Sequence, residues 1–148
     1  MMQERLIGRP MEILLVEDDL DDARMTIETL RTGQVQCRVT LVRDGDEAMQ
    51  FLRREAHFAR APRPDLILLD MQMPKMNGRE VLSEIRADHE FSSMLVVVLT
   101  SSKLHCEMLK SEHLQAEEYL LKPVNREHFQ GVVKSLRKYI LSDVLLPQ

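Results

Sequence analysis

An α/β fold built on a parallel sheet is what the sequence predicts, and three observations lead there. Short apolar runs rich in branched aliphatic residues recur along the chain, bounded by turn formers, as in strands covered on both faces. Helical periodicities fill the intervals, so strand and helix alternate about five times, the pattern of right-handed βα crossovers. Four of the runs also end on a reactive group. Glu12-Ile-Leu-Leu-Val-Glu-Asp18 closes on Glu17 and Asp18, and Leu66-Ile-Leu-Leu-Asp70 closes on Asp70. Met94-Leu-Val-Val-Val-Leu-Thr100 ends in a hydroxyl, and Glu117-Glu-Tyr-Leu-Leu-Lys122 ends in an ammonium followed by Pro123. Parallel neighbours would bring all of these groups to the carboxyl edge of the sheet, where open α/β folds bind ligands.

The elements follow in order. Residues 1–10 carry no pattern and are expected to form a loose N-terminal segment, with residues 11–141 as the folded domain and 142–148 as a C-terminal tail. After the first strand, Leu20, Ala23, Ile27 and Leu30 share one helical face, which Gly33 is expected to end. Arg38-Val-Thr-Leu-Val-Arg43 alternates between charged ends and reads as an edge strand. Asp44-Gly-Asp-Glu47 has the form of a capping box ahead of Ala48, Met49 and Leu52. The stretch from His57 to Pro64 reads as a surface loop before the Asp70 strand. Val81, Leu82 and Ile85 mark a third helix after Gly78. Lys103 to Glu112 gives the weakest helix, with only Leu104, Met108 and Leu109 to anchor it. Phe129, Val132, Val133, Leu136 and Ile140 make the clearest stripe of all.

Composition narrows the class. A chain of 148 residues suits one domain. No apolar stretch approaches the ~20 residues of a membrane helix, and no signal-peptide pattern opens the chain. Cys37 and Cys106 fit neither metal spacing nor a disulfide framework, so a cytoplasmic location is expected. The net charge of -4 speaks against a nucleic-acid surface, which needs clustered Lys and Arg. Part of the acidity, Asp19 with Asp21 or Asp22, is read as the solvated start of a helix, where carboxylates complement the dipole. Glu17, Asp18 and Asp70 are different. Three carboxylates at one edge repel by a few kcal/mol per pair at ~4 Å and an effective dielectric of ~20. They require a cation, and an all-oxygen set with open positions suits Mg²⁺.

Glu17, Asp18, Asp70, Thr100 and Lys122-Pro123, in this order and spacing, resemble the motif set of the bacterial response-regulator receiver domain from about Met11 to about Ile140. The resemblance implies a flavodoxin-like (βα)5 doubly wound sheet in the order 2-1-3-4-5. It implies that Asp70 attacks phosphorus and becomes an aspartyl phosphate. It also gives Asp18 to Mg²⁺ directly, Glu17 through water and the Gln72 backbone carbonyl as a further ligand. Lys122 would neutralise the phosphoryl oxygens, and Thr100 with the amide after it would bind them. Thr100 and Tyr119 would form the switch, and Lys122-Pro123 would be cis. The donor implied is a sensor histidine kinase. Arg43-Asp-Gly45, Ala61-Pro-Arg-Pro-Asp65, Asn77-Gly-Arg-Glu-Val-Leu82 and the ending Val144-Leu-Leu-Pro147 further resemble the stand-alone regulators that partner bacterial phytochrome kinases.

Other readings compete. A haloacid-dehalogenase-like phosphatase also uses a strand-end aspartate, but it needs a second aspartate two residues on, where Gln72 stands. No GxxxxGK[ST] loop is present. The protein is thus expected to be a phosphoacceptor rather than an enzyme. With little chain after the last helix, its output is expected through surfaces, as a diffusible connector, a phosphate shuttle or sink, or a phosphorylation-independent binding module. The apolar tail from Tyr139 to Pro147 suggests either a homodimer contact with the last helix or a segment folded back on its own domain. The five histidines show no ligand spacing and are read as surface or helix residues. Met71, Met73 and Met76, on the loop over the site, are read as packing.

Overall fold

The computed structural model describes residues 8–73 and 76–146. Its elements run β1 (Met11–Val16), α1 (Leu20–Arg31), β2 (Cys37–Val42), α2 (Gly45–Arg53), β3 (Leu66–Asp70), α3 (Gly78–Ala87), β4 (Val96–Thr100), α4 (Lys103–Ser111), β5 (Glu118–Leu121) and α5 (Arg126–Leu136), with short 3-10 turns at Ala56–Phe58 and Arg137–Tyr139. The five strands are all parallel in the order β2-β1-β3-β4-β5, the flavodoxin-like arrangement. β1, β3 and β4 are buried at every position, as the unbroken aliphatic runs require. Alternate residues feed two cores. Ile13, Leu15, Leu66, Leu68, Val97 and Leu99 face α1 and α5, while Leu14, Val16, Ile67, Leu69, Val96 and Val98 face α2, α3 and Leu109 of α4.

The helices depart from the sequence reading in places that matter later. On α1 the buried face is Ala23, Thr26 and Leu30, with Ile27 half-buried, whereas Leu20 at the first turn is exposed. Thr32, not Gly33, caps the end, returning its backbone N–H and its hydroxyl to the Glu28 carbonyl. Asp44 caps α2 through the Glu47 amide, but the Glu47 carboxylate reaches the Arg43 amide, one residue before the cap. α3 carries the full reciprocal box, Asn77 with Glu80, which the sequence reading did not identify. In α4 the expected anchors Leu104 and Met108 are exposed at 74% and 53%, Leu109 is buried as expected, and Cys106 is the second buried side chain.

At the N-terminal end the structure differs from expectation, and at the C-terminal end it takes one of the two expected arrangements. Residues 1–7 of the N-terminal segment lie outside the described residues, as do Pro74 and Lys75 of the site loop and Pro147 and Gln148 of the tail. Residues 8–10 are tied down. The Arg9 amide donates to the Asp143 carbonyl, the Leu145 amide donates to the Arg9 carbonyl, and the two segments form a parallel bridge. The Arg9 guanidinium grips both oxygens of Asp65 at 2.7 and 2.9 Å and also reaches Asp143. Asp65 in turn accepts the Glu12 amide at the start of β1. The tail therefore folds back on its own domain, with Val144 buried and Leu146 packed on the α5 side of the core.

The loop after β3 is fixed from below by a glycine. A Cβ on Gly78 would lie 2.6 Å from the Met71 Cα and 2.8 Å from the Asp70 carbonyl oxygen, both backbone atoms that cannot turn aside. Gly78→Ala gains helix propensity of about 1 kcal/mol at most, less than the ~1–3 kcal/mol that overpacking of this kind costs. Urea unfolding should accordingly show a lower midpoint at unchanged slope.

Candidate functional site

The parallel register delivers the polar groups to one edge. Val16 pairs with Leu69, Asp70 with Leu99 and Thr100 with Leu121, so the residues that finish β1, β3, β4 and β5 lie side by side. At that edge Glu17, Asp70, Thr100 and Lys122 line a pocket of about 210 Å³ together with Asp18, Asp19, Asp22, Met71, Gln72 and His105. Glu17, Asp70 and Thr100 are its buried polar members.

One ammonium organises the acids. Lys122 Nζ lies 2.8 Å from Glu17, 2.9 Å from Asp22 and 3.6 Å from Asp70. Burial works against its charge, but the hydrogen bonds to Glu17 and Asp22 outweigh that and raise its pKa. Glu17 is wholly buried, and burial together with its contact to Asp70 pushes its pKa up to about 7 in spite of the bond from Lys122. A single cation shared among three carboxylates does not neutralise the site. Glu17 also accepts the Asp19 amide, while the Gln72 amide donates to Asp70 Oδ1 at 3.2 Å.

The donor set fits a hard divalent cation. Glu17, Asp18 and Asp70 can each present an oxygen within 4.8 Å of the others, two from buried or nearly buried side chains, with no nitrogen or sulfur among them. The Lys122-Pro123 bond is cis. Tyr119 is half-buried on β5, on the α4 side of the sheet, with the Lys110 ammonium 6.0 Å from its ring centre.

Two site residues were misread or missed in the sequence. Asp22, assigned to the helix start, donates its amide to the Asp19 cap and so is turned toward Lys122, and the Asp19 cap three residues earlier was the available signal. His105, assigned to a surface or helix role, is half-buried, with Nδ1 2.9 Å from Thr100 Oγ1. No spacing rule finds it, because the bond depends on how residues 101 and 102 turn from β4 into α4.

Comparison with known proteins agrees with this architecture. Residues 13–134 match the response regulator receiver domain family. Response regulator Rcp1 of Synechocystis sp. is 38% identical over 138 residues, 93% of this chain and 94% of that protein. A solved Mn²⁺-bound form of Rcp1 superposes with a TM-score of 0.69 over 94% of this chain and 100% of its own, at 38% identity. The bacteriophytochrome response regulator RtBRR is 37% identical, with a TM-score of 0.81 over 93% of this chain and 82% of its own. The phosphorylated cyanobacterial phytochrome response regulator RcpA is 41% identical, with a TM-score of 0.71 over 95% and 100%. Among the described residues no helix is long and apolar enough to cross a membrane. With the acidic edge, the strand order and these relatives in agreement along nearly the whole length, the chain belongs to the response regulator receiver domain family and is a receiver-type signalling protein of two-component systems.

Proposed function

We propose that Asp70 is the phosphoacceptor, that the metal is Mg²⁺, and that the donor is a phosphohistidine on a sensor histidine kinase of the phytochrome type. One observation carries the reading. Asp70 stands between an acidic pair that can share a cation with it and an ammonium 3.6 Å from its Oδ2, on the wall of a surface pocket. An aspartate that merely capped a turn would need neither neighbour.

The chemistry follows from the groups present. An Asp70 oxygen attacks phosphorus, the bond from phosphorus to the donor nitrogen breaks, and its electron pair leaves with the donor. Oδ1 is engaged by the Gln72 amide, which leaves Oδ2, on the Lys122 side, as the attacking oxygen. Asp18 would hold the cation directly and Glu17 through water, with Asp70 and the Gln72 carbonyl as the further protein ligands. The bound cation supplies charge that neutralises the phosphoryl oxygens. Lys122, 3.6 Å from Oδ2, adds its own charge, and the Thr100 hydroxyl with the Ser101 amide receives an oxygen. Tyr119 responds to the movement of Thr100, which turns a local charge event into a change of surface. The phytochrome assignment is supported by the kinship to RtBRR and RcpA, which are response regulators of bacterial and cyanobacterial phytochromes.

Intact-protein mass after incubation with acetyl phosphate tests the reading. Wild type should gain one phosphoryl group in the presence of Mg²⁺ and none after chelation, and Asp70→Asn should gain none while keeping a cooperative unfolding transition. Unchanged uptake in Asp70→Asn would remove Asp70 from the role.

Without any donor, Mg²⁺ should raise Tm in proportion to the logarithm of its concentration, because it binds the folded state and not the unfolded one. Asp18→Asn should flatten that dependence. Lys122→Ala should still take up some phosphoryl group, but the fluorescence or NMR response of Tyr119 to uptake should be lost.

A further inference from the structure

We propose that His105 is a positioning residue that latches Thr100 in the resting protein: its Nδ1 accepts the one hydroxyl hydrogen that Thr100 must give to a phosphoryl oxygen, and so ties the start of α4 to the state of Asp70. The inference rests on the reading of Asp70 and Thr100 above.

Three observations carry it. Thr100 is 3% exposed, and among the described residues His105 is the side chain hydrogen-bonded to its hydroxyl, at 2.9 Å. A hydroxyl has a single hydrogen to donate, and a neutral imidazole has one accepting nitrogen. Donation to His105 and donation to a phosphoryl group therefore exclude each other. The backbone that carries the ring is also held, because Ser102 caps α4 by accepting the His105 amide, which fixes this residue on the first helical turn beside Thr100. Finally, α4 is a light element. Cys106 and Leu109 are its buried side chains, and Leu104 and Met108 face solvent. A bond at its first turn is thus a substantial share of what holds that turn against β4.

The latch explains why a histidine stands on the wall of an otherwise acidic and cationic pocket. At rest the hydroxyl is spoken for, and α4 is drawn toward the site. When phosphorylation takes the hydroxyl away, His105 loses its partner, and the first turn of α4 is released at the same moment that Tyr119 responds.

The test is the initial rate of Mg²⁺-dependent phosphoryl uptake from acetyl phosphate, in wild type, His105→Ala, His105→Asn, and the pair Thr100→Val and Thr100→Val/His105→Ala. Freeing the hydroxyl should raise the rate in His105→Ala by roughly 2- to 10-fold, the factor a single neutral hydrogen bond carries. His105→Asn, whose Oδ1 can accept from the same side, should restore the slower rate. In the Thr100→Val background, removing His105 should change nothing, which a general loosening of α4 would not reproduce.

A second readout needs no phosphorylation. The imidazole ¹⁵N shifts of resting wild type should show Nδ1 without a hydrogen. A hydrogen on Nδ1, equal rates in wild type and His105→Ala, or the same acceleration with and without the Thr100 hydroxyl would each overturn the latch while leaving Asp70 as phosphoacceptor. No uptake by wild type under any condition would overturn the Asp70 reading itself, and the latch with it.

Discussion

The whole site turns on the imbalance between one ammonium and the carboxylates around it. Lys122 touches Glu17 and Asp22 closely and Asp70 more distantly, and Asp18 lies just beyond. Two like charges ~4 Å apart in a partly buried setting repel by about 4 kcal/mol at an effective dielectric of 20. The fold holds the acids there because they are attached to strand ends that the core positions with far more energy than this. The electrostatic deficit is therefore built in, and it adds, through Asp70, to the burial that raises the pKa of Glu17. A second positive charge is what the geometry lacks, and the oxygens that Glu17, Asp18 and Asp70 can bring within 4.8 Å of one another are where one could sit.

The supporting structure is arranged around that deficit. β1, β3 and β4 are fully buried, so their ends cannot drift apart to relieve repulsion. Below the Asp70 loop, Gly78 lets α3 begin within van der Waals contact of the Asp70 and Met71 backbone. At the far edge of the sheet, Arg9 ties the start of β1 and the tail to Asp65, just ahead of β3. The carboxylate strands are thus pinned at both ends.

Much of this was legible in the sequence, for a definite reason. Continuous aliphatic runs report two-sided burial, and the groups that ended them had to meet once the strands were parallel neighbours. That logic placed Glu17, Asp18, Asp70, Thr100 and Lys122 at one edge, and the resemblance added the strand order and the individual roles. What stayed illegible depended on short-range geometry. Apolar residues in α4 suggested a buried stripe of Leu104, Met108 and Leu109, yet the helix turns Leu104 and Met108 outward and buries Cys106. Asp22 looked like one more acid at a helix start until the Asp19 cap set its direction. The anchoring of residues 8–10 depends on a partner 134 positions away, Asp143, which no local pattern reports.

The same contrast between rigid strands and a lightly held α4 decides where a signal can go. Extracting a buried aliphatic side chain from β4 costs about 2–5 kcal/mol, to judge from truncations of comparable residues. One new charge-assisted hydrogen bond at Thr100, as proposed for the phosphorylated protein, would supply about 1.5–3 kcal/mol. Phosphorylation therefore cannot remodel β4, all five of whose residues are buried, but it matches the scale of the contacts that hold the first turn of α4 and the half-buried ring of Tyr119. Those two elements flank one groove, lined by Lys103, Cys106, Lys110, Tyr119 and Leu121, which is the surface that can differ between the two states of the site. The weakness of α4, which made it the hardest helix to read from sequence, is the property that would make it the movable part under the proposed switch.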